Sequence, residues 1–313
     1  MARPEADHGG GIDAERARFG GARGDWIDLS TGINPRPWPV GPLSGDAWTA
    51  LPDKAARAAL ERAARAFWQV PEPAAVLAAP GASALIARIP LLAAPGRVAI
   101  AGPTYNEHGR AFTTEGWDVM DTGGDACVIV HPNNPDGRLW PLPDGHRLTV
   151  IDESFCDVMP EASHIAHATR PGTVILKSFG KFWGLAGLRL GFAIGDPALI
   201  GRLAAMLGPW PVSGPALEIG ARALADHVWA GETRARLARD AARLDALIGA
   251  ALVGGTSLFR LYDVGDAQAA QDHLARARIW SRVFPYSSRW LRLGLPGSEP
   301  AWDRLAAAWG ARA

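Results

Sequence analysis

Lysine is scarce in this chain of 313 residues. Only Lys54, Lys177 and Lys181 among its 32 basic residues carry an amine; the rest are arginines. Arginine keeps its proton at any ordinary pH, whereas lysine can release it and act as a nucleophile. Amine chemistry is therefore confined to three side chains and the N-terminus. Cysteine is scarcer still. Cys127 and Cys156 lie in apolar, strand-like runs and are expected to be buried free thiols of a cytoplasmic protein, not a disulfide framework. The formal net charge is zero, which gives no general pull toward nucleic acid or an anionic membrane. No apolar run reaches the roughly 18 residues of a membrane span. The opening MARPEADHGGGIDAERARFGG is polar and lacks the apolar core of a secretory signal.

Hydrophobic residues make up 48% of the chain, enough to bury a sizeable core in one large or two smaller domains. The first 50 residues are rich in Gly and Pro, and DLSTGINPRPWPVGPLSG reads as an extended segment with turns. In residues 53–69, Leu60, Ala64, Phe67 and Trp68 share one face of an expected amphipathic helix. Short apolar runs follow at 98–102, 127–131, 148–152, 174–179 and 190–195. They suit strands buried on both faces of a mostly parallel sheet. Residues 215–252 read as long and helical, and LFRLYDV, IWSRVF and WLRLGL as strands. The expected organisation is an N-terminal segment (1–39), a large α/β domain (40–205) and a smaller α+β domain (206–313).

In an open parallel sheet, ligands gather at the carboxyl ends of the strands. Just past the expected strands stand Asn134 in PNNPDG, Asp152 at the end of LTVID, and Lys181 after VILKSF. APGASA at 79–84 precedes an expected helix, where free N–H groups and the helix dipole favour an anion. Ser178 and Arg189 would add a hydroxyl and a guanidinium to that anion. This set answers the needs of pyridoxal 5′-phosphate (PLP): a lysine for its aldehyde, a carboxylate for its ring nitrogen, a donor for its ring hydroxyl and an anion site for its phosphate. Each piece alone is ordinary, since a D-E pair after a strand is usually solvated and N-N-P-D-G is usually only a turn.

The order PGAS, GPTY, NNPDG, IDESF, SFGKFWGLAGLRLGF resembles the fold-type I PLP enzymes of the aspartate aminotransferase superfamily, over about residues 5–295. The resemblance implies the fold-type I PLP-dependent transferase fold, a large α/β domain with a mostly parallel, seven-stranded sheet plus a smaller α+β domain. It makes Lys181 the lysine that bonds the cofactor and Asp152 the partner of the ring nitrogen, with Asn134 at the ring oxygen and Tyr105 stacked on the ring. Ala82, Ser83, Ser178 and Arg189 take the phosphate, and Phe155 belongs to the same wall. HGGGIDAERARFGG followed by IDLSTGINPRP resembles the opening of the L-threonine-O-3-phosphate decarboxylases of cobalamin biosynthesis. In that group the N-terminal segment folds over the active site. His8, Gly9, Gly10 and Asn34 are then expected near the substrate, a phosphorylated amino acid. Arg292 is expected to bind the substrate carboxylate, Arg282 is a second contact, and Arg289 is the alternative if the register is shifted. No metal is expected. A homodimer with shared active sites is implied, in the cytoplasm, with no nucleic-acid or membrane partner.

Two replacements depart from the pattern: Phe155 and Leu51 stand where many relatives have tyrosine. The chain is also somewhat shorter than typical relatives. A histidinol-phosphate-type aminotransferase stays open as the alternative, because residue types alone do not say which bond at the α-carbon is cleaved. A regulator that borrowed this fold is disfavoured by the absence of a basic patch.

Overall fold

Runs of Val and Ile with no polar alternation build the centre of the larger sheet, as the sequence predicts. The computed structural model describes residues 8–311. Its strands are β1 (Ile27–Asp28), β2 (Ala75–Ala79), β3 (Arg97–Ala99), β4 (Asp118–Met120), β5 (Ala126–Val130), β6 (Leu148–Asp152), β7 (Thr173–Ser178), β8 (Gly191–Gly195), β9 (Ala251–Thr256), β10 (Phe259–Asp263), β11 (Ile279–Trp280), β12 (Arg282–Phe284) and β13 (Ser287–Gly294). The chain divides into two compact units, one of residues 37–234 and one that joins the N-terminal residues up to Arg36 with residues 235 onward.

The 37–234 unit carries a seven-stranded sheet in the order β2-β8-β7-β6-β5-β3-β4. Neighbours from β7 through β4 are parallel, and β8 runs antiparallel to both β7 and β2. Strands β5, β6 and β8 are buried along their whole length, which is why they read as continuous apolar runs. One face packs Leu85, Ile86, Phe112, Trp117, Val150 and Leu176 into a core. The helix Lys54–Trp68 forms as expected. Asp53 caps it by accepting from the Ala56 amide, and Leu60, Ala64 and Trp68 are its buried residues.

The expected domain boundary at 205/206 falls inside this unit, which extends to Arg234. The helix Gly214–Leu224 lies against Lys54–Trp68. Close approach is possible because position 220 is glycine: a Cβ there would stand 2.6 Å from Leu190 Cδ2 and 2.8 Å from Leu60 Cδ1.

The other unit holds a four-stranded antiparallel sheet in the order β12-β13-β10-β9 and a parallel pair, β1 with β11. Helix Ala267–Arg276 is capped by Asp266, and Ile12 of helix Ile12–Phe19 packs with Trp26 and Ala275.

Two local expectations change. The helical run at 215–252 is two helices, Gly214–Leu224 and His227–Ile248, followed by β9. The break has a cause: Asp226 Oδ1 accepts the Trp229 amide at 3.0 Å, and its Oδ2 accepts Trp38 Nε1 at 3.1 Å. The Gly- and Pro-rich start contains two short helices, Ile12–Phe19 and Gly45–Thr49.

Candidate active site

Side chains alternate across a strand, so the dipeptides Asp152-Glu153 and Lys177-Ser178 each send one group to either side of the sheet end. Asp152, Ser178 and Lys181 line one cavity of about 120 Å³, together with Asn134, Tyr105 and Phe155. All belong to the 37–234 unit. Asp152 is buried and both its oxygens are engaged: Oδ1 accepts the Ser154 amide at 2.9 Å and hydroxyl at 2.5 Å, and Oδ2 lies 2.8 Å from His108 Nε2, which leaves Oδ2 one acceptor site. Burial alone would raise this carboxyl. The hydrogen bond and charge of His108, with both Ser154 bonds, outweigh it and hold Asp152 below the usual range. The Tyr105 phenol is pushed up to about 12 by its own burial and by the Asp152 and Glu107 charges, so it is neutral at physiological pH.

The two clustered lysines have opposite situations. Lys177 is fully buried beside Trp68, with Nζ 2.6 Å from Glu153 Oε2 and 3.8 Å from Asp157 Oδ1. Burial opposes its charge, but the Glu153 and Asp157 carboxylates prevail and raise its pKa. A lysine so held is a structural cation. Lys181 is half-buried, with Nζ 5.3 Å from the centroid of the Phe155 ring.

Gly81, Ala82, Ser83 and Arg189 line the same cavity. Gly81 has φ +86°, and a Cβ on it would come within 2.6 Å of Arg189 Nη2. The missing side chain leaves that space to the Arg189 guanidinium.

The second group of predicted residues comes together within the other unit. Arg282 on β12 and Arg292 on β13 are direct cross-strand partners. Arg282 Nη1 donates to the His8 carbonyl at 2.5 Å. Arg292 is buried, its guanidinium 5.2 Å from the Phe259 ring centroid, and its Nη2 donates to the Ser30 carbonyl at 2.6 Å. Gly10 donates to Ser30 Oγ at 2.7 Å, which ties the HGG segment to the same place. Asn34 is buried, and its Oδ1 accepts from Arg236 Nη2 at 2.7 Å and the Arg36 amide at 3.1 Å. Arg289 instead pairs with Asp263 at 2.8 Å on the exposed side of β13.

Residues 121–308 match the family model for aminotransferase class I and II. A threonine-phosphate decarboxylase of Pseudomonas aeruginosa is 39% identical over 96% of each chain. A threonine-phosphate decarboxylase of a Sinorhizobium species has the same identity and coverage. The chain belongs to the aminotransferase class I and II family. A solved structure of histidinol-phosphate aminotransferase from Sinorhizobium meliloti, in complex with pyridoxal 5′-phosphate, superposes with a TM-score of 0.85 over 99% of this chain and 95% of that one, at 19% identity. That likeness is one of fold.

In this member of the aminotransferase class I and II family, the sequence reading missed several residues that position others. His108 sits on helix Asn106–Thr114, three residues after Tyr105, and its ring meets Tyr105 edge-on at 6.1 Å. That spacing from an expected ring-stacking tyrosine was its only sequence signal. Asn133 is buried and joins two turns. Its amide donates to Pro103 O at 3.0 Å and Asp136 Oδ1 at 2.8 Å, and its Oδ1 accepts the Thr104 hydroxyl at 2.6 Å. It thereby links the turn before Tyr105 to the turn that holds Asn134. Ser30 and Arg236 were missed because their roles come from contacts with residues far away in sequence.

Proposed function

We propose that this chain is a PLP-dependent decarboxylase that converts L-threonine O-3-phosphate to (R)-1-amino-2-propanol O-2-phosphate, a step of cobalamin biosynthesis. The observation that carries this reading is the 39% identity, across nearly the whole chain, to threonine-phosphate decarboxylases. The cavity's donor set fits PLP. Its lining offers a carboxylate held ionised, a hydroxyl, a guanidinium and a glycine turn at 81, and Lys181 stands on the wall with them.

When bound, PLP supplies an aldehyde for the substrate amine and a conjugated ring that accepts the electron pair of whichever α-carbon bond stands perpendicular to it. Lys181 provides the amine that anchors the aldehyde at rest and, once displaced, carries a proton at the α-carbon. Asp152, oriented by His108 and Ser154, holds a proton on the ring nitrogen. Tyr105 offers its ring face, and Asn134 an amide to the ring oxygen. Ser178, Arg189 and the backbone at 81–83 bind the cofactor phosphate.

Arg292 and Arg282 bind the substrate's carboxylate and phosphate. Two guanidinium groups directly opposite on adjacent strands repel one another, and a substrate with two anionic groups relieves that repulsion. Fixing both ends of the substrate selects the bond that stands perpendicular to the ring. The first loss is then CO₂, with no proton lost from the α-carbon.

A homodimer is part of the same proposal. Trp48 and Leu51 are 70% and 68% exposed, beside a cavity of about 330 Å³ lined by Leu51, Pro52, Glu218 and Arg222. A second copy is the proposed cover. Among the described residues, no helix is long and apolar enough to cross a membrane, and a cytoplasmic location is proposed.

The test is a paired assay of the PLP-loaded protein. L-threonine O-3-phosphate is followed for CO₂, and histidinol phosphate with 2-oxoglutarate is followed for glutamate. CO₂ from the first and no glutamate from the second is expected. Glutamate without CO₂ would overturn the decarboxylase and favour the aminotransferase.

A further inference from the structure

We propose that Ser30 is a positioning residue that latches the N-terminal segment to Arg292, so that the groups meeting the substrate's two anions form one coupled assembly. This deepens the reading of the substrate given above and rests on it.

Ser30 is fully buried and uses each of its polar groups for a different element. Its hydroxyl donates to Asp28 Oδ1 at 2.6 Å, and its own amide donates to the same oxygen at 2.9 Å. With the hydroxyl proton committed to Asp28, an Oγ lone pair is left to accept the Gly10 amide at 2.7 Å. The carbonyl of Ser30 accepts Arg292 Nη2 at 2.6 Å. A single buried residue thus fixes the N-terminal segment with its side chain and the arginine with its backbone.

The segment is held at further points. Trp280 Nε1 donates to the Gly10 carbonyl at 2.8 Å, so Gly10 is pinned at both its N–H and its C=O. Arg282, the cross-strand partner of Arg292, donates to the His8 carbonyl. The fit is close: a Cβ at Gly9 would stand 2.5 Å from the Ser30 carbonyl oxygen. Any side chain at position 9 pushes on the same carbonyl that holds Arg292. Displacement of the segment and displacement of the arginine are therefore linked through one peptide unit.

The experiment compares the full-length, PLP-loaded protein with Ser30→Ala, Trp280→Phe and the double variant. One readout is amide hydrogen exchange of a peptide covering residues 8–19. The other is the dissociation constant for O-phospho-L-threonine and for L-threonine, from titration of the cofactor absorbance. Each single variant is expected to speed exchange in that peptide and to weaken O-phospho-L-threonine by about three- to tenfold, the worth of one hydrogen bond. L-Threonine, which keeps the carboxylate that meets Arg292 but lacks the phosphate, should weaken as well, by a smaller factor than O-phospho-L-threonine. Because both anchors act through Gly10, the double variant should bind no worse than the weaker single variant. Unchanged exchange in both single variants overturns the latch, and so does equal weakening of the two ligands. If the unaltered protein fails to bind O-phospho-L-threonine, the proposed function falls, and the exchange data still decide the latch.

Discussion

Arg282 and Arg292 stand directly opposite each other on antiparallel strands, one donating to the His8 carbonyl and the other to the Ser30 carbonyl. Like charges in that position destabilise a sheet. The proposed anion site would offset that repulsion, and its energetics can be measured. Inorganic phosphate should raise the melting temperature of the unaltered protein, and Arg282→Gln should abolish most of that rise. In the proposed site Arg292 meets a substrate anion, so Arg292→Ala should lower kcat/KM for threonine phosphate by about 100-fold or more. A phosphate-independent melting temperature would refute the anion site.

The two lysines of KSFGK separate cleanly by prediction. Lys181→Ala should eliminate the covalent cofactor and its visible absorption while leaving the melting temperature of the apoprotein nearly unchanged. Lys177→Ala strands Glu153 and Asp157 in the interior and should cost about 3–5 kcal/mol of stability. Its folded fraction should keep the absorption. Chemical denaturation of the apoproteins, with an absorption spectrum of each loaded sample, checks both.

Acid stability should report the Asp152–His108 pair. A carboxyl lowered in the folded state, as Asp152 is, adds stability that is fully present above the ordinary value near 3.9 and is lost as pH falls through its lower folded value. His108→Leu removes the largest stabiliser of the ionised form. The acid loss of stability should then begin at higher pH, and kcat should drop by about tenfold or more. Melting curves between pH 3 and 7 test the first part; coincident curves would contradict it.

His131 adds a second pH effect of the same sign. Its Nδ1 accepts the Trp140 amide at 3.0 Å and its Nε2 lies 2.8 Å from the Ala162 carbonyl, an arrangement that requires the neutral ring. Burial lowers its pKa most, and the nearby His164 and Lys177 charges act in the same direction. A folded-state value below the unfolded one means stability that is complete above about 6.5 and falls as pH drops toward the folded value. His131→Gln should flatten the stability profile between pH 5 and 7, measured by urea unfolding.

Gly81→Ala should weaken PLP binding with little effect on fold. The new methyl meets Arg189, and φ +86° is strained for any residue but glycine. An increase of about tenfold in the PLP dissociation constant is expected from the loss of one charge-assisted phosphate contact. Fluorescence quenching on titration with PLP measures it.

That Asp152, Lys181 and Asn134 line one cavity was legible because each ends or follows a strand that announces itself as a Val- and Ile-rich run. Asp152, Lys181 and Asn134 needed only the rule that ligands meet the carboxyl ends of strands. The direction of β8 was not legible, since a strand buried on both faces has the same composition whether parallel or antiparallel. The division of 215–252 into two helices was hidden because Asp226 breaks the run through a cap and an indole contact, while its neighbours Ala225 and His227 suit a helix. Residues 251–252, Ala and Leu, fit a helix end as well as a strand start. His108, Asn133 and Ser30 escaped for another reason. They position others through hydrogen bonds that exist only after distant turns meet, and a polar residue in a turn or first helical turn carries no mark of such a bond in advance.

The most direct test of the central claim uses L-threonine O-3-phosphate labelled with ¹³C at the carboxylate. The PLP-loaded protein is incubated with it, and labelled CO₂ and the amine product are quantified together. The account predicts labelled CO₂ and aminopropanol phosphate in equal amounts, with neither formed by Lys181→Ala. A labelled keto acid with no released CO₂ would mean that the proton, and not the carboxylate, is the group this site removes.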